Sequence, residues 1–278
     1  MVNLNGKDYK LYYLDTCALS GMVKDRAGFG SNLLNLVLDG GVIAISPYSI
    51  WELKSSPSIY KDVLDVITVL PSVLLKSNQS LFEDEFDNFI NSSGTISPIT
   101  SHLIKGEHAR NGVDLIAIID QNVTEDMNRT FAQERKKTFE ILESKPSNIY
   151  SREQLSSPST IEVSVSFGAL QLAAVYKSKE IQSFIDNTKT PFPTERFPSI
   201  TSISYMAHYK YLEQKRTGSE SDIVDISMAS LYPYVDVVIT EAHQCEMIRQ
   251  IKTRHDFFTN LKAITIRQVR TENYENII

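Results

Sequence analysis

Five short apolar runs, separated by segments of helical periodicity, constrain this chain more than any other feature. They are Tyr9–Leu14, Gly41–Ser46, Ser72–Lys76, Val235–Thr240 and Leu261–Ile266. Each is strand-length, and none alternates apolar with polar as a half-exposed strand would. Runs of this kind bury both faces, which predicts a parallel sheet covered by helices on each side. Helices are expected over 31–38, 58–70, 202–215, 222–232 and 244–252, with Ile59, Val63, Val66, Ile67 and Leu70 forming the apolar stripe of the second. Ser31 and Gly40-Gly41 bracket the first helix, and Pro47 suits the first turn of another that carries Glu52.

The alternation lapses between about Ser80 and Ser199. Here strand-like runs are rare, and helical patterns over 114–143 and 160–187 dominate, with Gly168 weakening the second. At about 150 residues per domain, 278 residues make roughly two domains, or one with a large insertion. The expected organisation is an α/β core from residues 1–79 and 200–278, interrupted by a mainly helical insertion over 80–199. The insertion is expected to cap the sheet edge or to present a protein–protein or homo-oligomer surface.

Composition narrows the function classes. Hydrophobic residues make up 42% of the chain, enough for a core. No apolar run approaches the roughly 20 residues that cross a bilayer, so no membrane partner is expected. Residues 1–7 lack the apolar stretch of a secretory signal. Cys17 and Cys245 are too few for a disulfide framework or a four-cysteine zinc site, and a reducing cytoplasm is the expected compartment. A net charge of −6 and a pI near 5.5 argue against a protein that coats nucleic acid by neutralising phosphates. They leave room for a nuclease, whose metal site needs carboxylates of its own.

In open parallel sheets ligands bind beyond the carboxyl ends of the strands. Asp15 ends the first run, Glu52 lies on the helix after the second, Asp222 opens the helix before the fourth, and Glu241 follows Thr240 at the end of the fourth. Asp225, three residues after Asp222, shares its helix face. Taken singly, Asp15 and Asp222 also read as helix caps and Glu52 as a solvated helix position. Together the five acids are expected to converge on one sheet edge, without basic partners, where mutual repulsion calls for a hard cation. Magnesium or manganese fits carboxylate ligands, and the lack of a His/Cys cluster disfavours zinc.

The ordered set Tyr13-Leu14-Asp15-Thr16, Ser46-Pro47…Glu52, Asp222…Ala229 and Ile239-Thr240-Glu241 resembles the PIN-domain family of metal-dependent nucleases. The resemblance covers about residues 8–80 and 200–270. It implies a PIN-like sheet with the first strand central, and hydrolysis of phosphodiester bonds in RNA or structured nucleic acid. It assigns Asp15, Glu52, Asp222 and Glu241 as catalytic residues and Mg2+ or Mn2+ ligands, with Asp225 also at the metal. The family's fourth acid commonly lies two residues after the Thr. That position here is Ala242, and Glu241 takes its place. Two alternatives stay open: a catalytically inactive PIN-like module that binds RNA or a protein, and a phosphoacceptor receiver with Asp15 phosphorylated. The receiver calls for a lysine after the last strand, where this chain has Arg267-Gln268, and it gives Glu52 no role.

Other features read more blandly. Gly28-Phe29-Gly30 is expected to be a flexible loop and Cys17 a small buried hydrophobe. His243, two residues past Glu241, is a candidate near the site. Asp236 is expected to be structural. Arg135-Lys136-Lys137, with Arg249, Lys252, Arg254 and Lys262, suggests a local track for phosphates.

Overall fold

The computed structural model describes residues 2–4, 7–91, 94–103, 115–124, 129, 157–176, 183, 193–213 and 220–271. Among them the chain is α/β, with a mostly parallel six-strand sheet flanked by helices. In chain order the strands are β1 (Val2–Leu4), β2 (Lys7–Leu14), β3 (Gly41–Ile45), β4 (Ser72–Leu75), β5 (Ile99–His102), β6 (Val237–Thr240) and β7 (Lys262–Thr265). The sheet runs β5-β4-β3-β2-β6-β7, and β1 lies off this path, antiparallel to the start of β2. The pairs β2–β3, β3–β4, β2–β6 and β6–β7 are parallel. The five expected strands are all present, each within two residues of its expected bounds. Two were not expected: β1, and β5, which pairs antiparallel with β4 inside the stretch read as helical.

The pleat of β2 explains the layering. Leu11 and Tyr13 point to one face and Tyr12 and Leu14 to the other, all of them buried. The first face meets α5 (Asn78–Asn91), α7 (Pro158–Tyr176), α8 (Pro198–Ala207), α9 (Glu220–Met228) and α10 (Ala242–His255). The second meets α1 (Thr16–Lys24), α2 (Ser31–Leu38), α3 (Pro47–Lys54), α4 (Pro57–Ile67), α6 (Leu115–Asn122) and α11 (Ile266–Thr271). With helices on both sides, a continuous apolar strand is the stable sequence.

Parts of the stretch 80–199 are built into these cores. Leu81, Phe82, Phe86, Ile161, Val165 and Phe197 join the first, and Leu103, Ile119 and Val123 the second. Residues 130–150 and 184–192, on which the expected helices partly fall, lie outside the described residues, as does Arg135-Lys136-Lys137. Gly168 does not interrupt α7: a Cβ there would come within 3.3 Å of Ser204 Oγ on α8, so glycine permits a close helix approach. The segment expected to be a flexible loop is a π-helical turn, Arg26–Gly30, that buries Phe29 completely. Asp25 accepts from Gly28 N and holds Arg270 at 2.7 Å, which ties that turn to α11. Asp236 is structural as expected, its carboxylate accepting from Leu11 N at 2.9 Å. No described helix is long and apolar enough to cross a membrane.

Candidate functional site

The topology places a crevice before any side chain is considered. From β2 the chain moves to β3 and β4 on one side and later returns to β6 on the other. Strand order therefore reverses between β2 and β6, and a sheet of this kind binds ligands outside the carboxyl ends at that reversal. Asp15 follows β2, and Thr240-Glu241 ends β6.

Asp15 caps α1 with extended backbone, its Oδ1 accepting from Ala18 N at 2.6 Å. The Thr240 hydroxyl donates to its other oxygen at 2.5 Å, so the two strand ends are joined across the reversal. Ser46 caps α3 by accepting from Ser49 N at 3.0 Å, with Pro47 in the first turn. That cap sets the helix carrying Glu52, which accepts from the Thr16 hydroxyl beside Asp15. Asp222 and Asp225 come from the first and second turns of α9. Asp222 is thus inside the helix rather than opening it.

These elements enclose a cavity of about 290 Å3, and all five expected acids line it: Asp15, Glu52, Asp222, Asp225 and Glu241. His243 also lines it. Cys17 is exposed at the cavity, not buried as expected, and its thiol donates to Glu241 Oε1 at 3.3 Å. Desolvation, with the carboxylates of Asp15 and Glu241 nearby, pushes that thiol up to about 12, so it is a protonated donor and not a nucleophile.

The expectation that the acids lack a basic partner is wrong, because Lys210 stands among them. Only 1% exposed, it comes from the π-helical turn His208–Glu213 after α8. Its ammonium lies 2.7 Å from Asp222 Oδ1 and 2.9 Å from Asp225 Oδ2. Burial, followed by the opposing effect of Lys210, leaves Asp225 raised above the usual carboxylate range, with Asp222 and Glu241 pushing the same way. Burial raises Asp15 to about 6, against the hydroxyl of Thr240 and the amide of Ala18, and Asp225 and Glu241 raise it further. Among the described residues, neither Asp15 nor Glu241 has a basic partner.

No protein-family profile matches this chain, and neither a curated protein nor a solved structure does.

The donor set suits a hard divalent cation in kind: carboxylate oxygens, no described thiolate or imidazole cluster, and excess negative charge around Asp15. A cation already sits between Asp222 and Asp225 in the form of the Lys210 ammonium. Among the described residues, no three His, Cys, Asp or Glu side chains stand ready around one ion point. The acids share a cavity, and filling it with a metal requires side-chain rotation at its mouth, where Glu241 is exposed.

The described members of the expected phosphate track, Arg249, Lys252, Arg254 and Lys262, are not among the residues that line this cavity. Helix α10 begins at the carboxyl edge and runs back along the sheet before β7. At 1.5 Å per residue, Lys252 lies about 15 Å along the helix from Ala242. Lys252 donates to Leu261 O, Arg254 stacks over Tyr209, and Lys262 begins β7 at the opposite edge. Arg249 is engaged by Glu246.

Proposed function

We propose that the chain is a PIN-like, metal-dependent nuclease that hydrolyses phosphodiester bonds in RNA or structured nucleic acid. The observation that carries this reading is the joint placement of Asp15, Glu52, Asp222, Asp225 and Glu241 around one cavity at the strand-order reversal. The strand order, with β2 inside the sheet, is compatible with the PIN-like arrangement that the motifs resemble.

Mg2+ or Mn2+ is the proposed cofactor, held by Asp15 and Glu241 with Glu52 beside them. When bound, such an ion acts as a Lewis acid toward the phosphate and acidifies a water. The chain's own part is orientation. Ala18 N and the Thr240 hydroxyl fix the Asp15 carboxylate, and Thr16 steers Glu52 toward it. Lys210 fixes Asp222 and Asp225. Because Asp15 holds a proton up to about pH 6, metal binding and cleavage are expected to fall off below that pH.

The second reading, an inactive module that binds RNA or a protein, draws on two features. Ala242 stands where the family commonly has an acid, and Lys210 already neutralises part of the cluster. Incubation with a mixed RNA pool separates the two. The nuclease reading expects Mn2+-dependent cleavage that chelation and Asp15→Asn abolish. Metal-independent binding without cleavage supports the module instead.

A further inference from the structure

Among the described residues that line the cavity of acids, Lys210 is the one lysine or arginine, and its position has a consequence for how many metal ions the cavity takes. A lysine almost never buries its ammonium without a paired charge. Here the pairing is with both carboxylates of one helix face, at 2.7 and 2.9 Å. The ammonium therefore already supplies Asp222 and Asp225 with the positive charge that a metal ion would otherwise have to bring. Asp15 and Glu241 line the same cavity, and among the described residues neither is ion-paired with Lys210. We propose that Lys210 is a built-in second cation: it fills the Asp222–Asp225 position permanently and limits the cavity to one divalent ion, held on the Asp15–Glu241 side.

This inference rests on the metal reading above and deepens it. Lys210 is a positioning residue, because it acts on Asp222 and Asp225 rather than on substrate. Its backbone placement supports the role. The π-helical turn at His208–Glu213 follows directly on α8, whose residues Ser199–Met206 are buried, so the turn holds the lysine stem against the core. Tyr209, on the same turn, is fully buried and bonded to His255 Nε2 at 3.0 Å. These contacts fix the backbone that carries Lys210, and its ammonium is itself held by two carboxylates.

The test counts ions. Full-length chain is equilibrated with Mn2+, and free Mn2+ is read by electron paramagnetic resonance. The expected result is one Mn2+ per chain for the wild type, one for Lys210→Arg, and two for Lys210→Met, whose neutral stem leaves Asp222 and Asp225 to a second ion. Two ions in the wild type, or one in folded Lys210→Met, overturns the Lys210 role and leaves the metal reading intact. No Mn2+ bound by the wild type refutes the metal reading itself. If Lys210→Met loses its circular-dichroism signature without metal, saturating Mn2+ must restore it, since a divalent ion replaces the missing charge; failure to restore also overturns the proposal.

Discussion

Glu85 on α5 is fully buried, and its Oε1 accepts from Ser199 N at 2.7 Å and from the Tyr234 hydroxyl at 2.6 Å. Its other oxygen has no partner among the described residues. Burial raises its pKa from 4.5 to about 7, against those donors. The folded value lies above the unfolded one, so the folded state keeps the proton between the two. Stability is therefore fullest below about pH 4.5 and is lost as pH rises through about 7. Glu85→Gln, which keeps the acceptor oxygen without the charge, is expected to gain about 2 kcal/mol over wild type at pH 8 and little at pH 4. Urea unfolding at the two pH values checks this; an equal effect at both would show that the carboxyl is not held protonated. The shared placement of Asp15, Glu52, Asp222 and Glu241 was legible in the sequence because Asp15 and Glu241 follow strand ends and Glu52 and Asp222 lie on short helices next to strands, which local pattern reveals. Lys210 was not. Its chain neighbours Tyr209 and Tyr211 give it no chemical context, and its partners Asp222 and Asp225 reach it only through packing of α8 against α9. Cys17 was misjudged for a related reason, since it and Thr16 face the cavity while Ala18 and Leu19, in the same turn of α1, face the core.

At the scale of elements, the sequence signal was strongest where strands are buried on both faces. The continuous apolar character of β2, β3 and β6 allowed little else. Edge strand β5 was missed because Ile99-Thr100-Ser101-His102 is half-polar, as an edge that faces solvent on one side can be. The π-helical turn at Arg26–Gly30 was missed because its two glycines suggest freedom, whereas Phe29 pins the turn to the core. The start of β3 shows how tightly elements meet. A Cβ on Gly41 would lie 2.6 Å from the Tyr12 ring and 2.8 Å from the Leu36 carbonyl oxygen. The carbonyl belongs to the last turn of α2, so relieving the contact moves backbone rather than the end of a flexible side chain. Gly41→Ala is expected to destabilise the fold by about 2 kcal/mol, in the range typical of overpacking. The midpoint of thermal unfolding should fall accordingly, and an unchanged midpoint would mean that β3 and α2 are more loosely joined than this contact implies.

For the whole molecule, residues from the stretch 80–199 fill both cores rather than sitting apart on one edge. Phe82, Phe86, Ile161, Val165 and Phe197 are each at most 3% exposed, and burying a side chain of this size contributes about 1.5–3 kcal/mol. A chain joining residues 1–78 to 200–278 through a flexible linker therefore loses several such contacts and is expected to melt without a cooperative transition. A sharp transition close to that of the full chain would show that these contacts are dispensable. The functional reading depends, in turn, on whether the carboxylate cavity takes up a divalent ion. Mutual repulsion and burial of Asp15 strain the metal-free protein, and an ion that binds only the folded state stabilises it by mass action. The direct measurement is the melting temperature at pH 8 as Mn2+ is raised to millimolar concentration, for the wild type and Asp15→Asn. The account predicts a rise of roughly 5 °C in the wild type. It predicts a higher metal-free melting temperature for Asp15→Asn, with a much smaller response to Mn2+. A wild-type melting temperature that does not move with Mn2+, or an Asp15→Asn response equal to the wild type's, would contradict it.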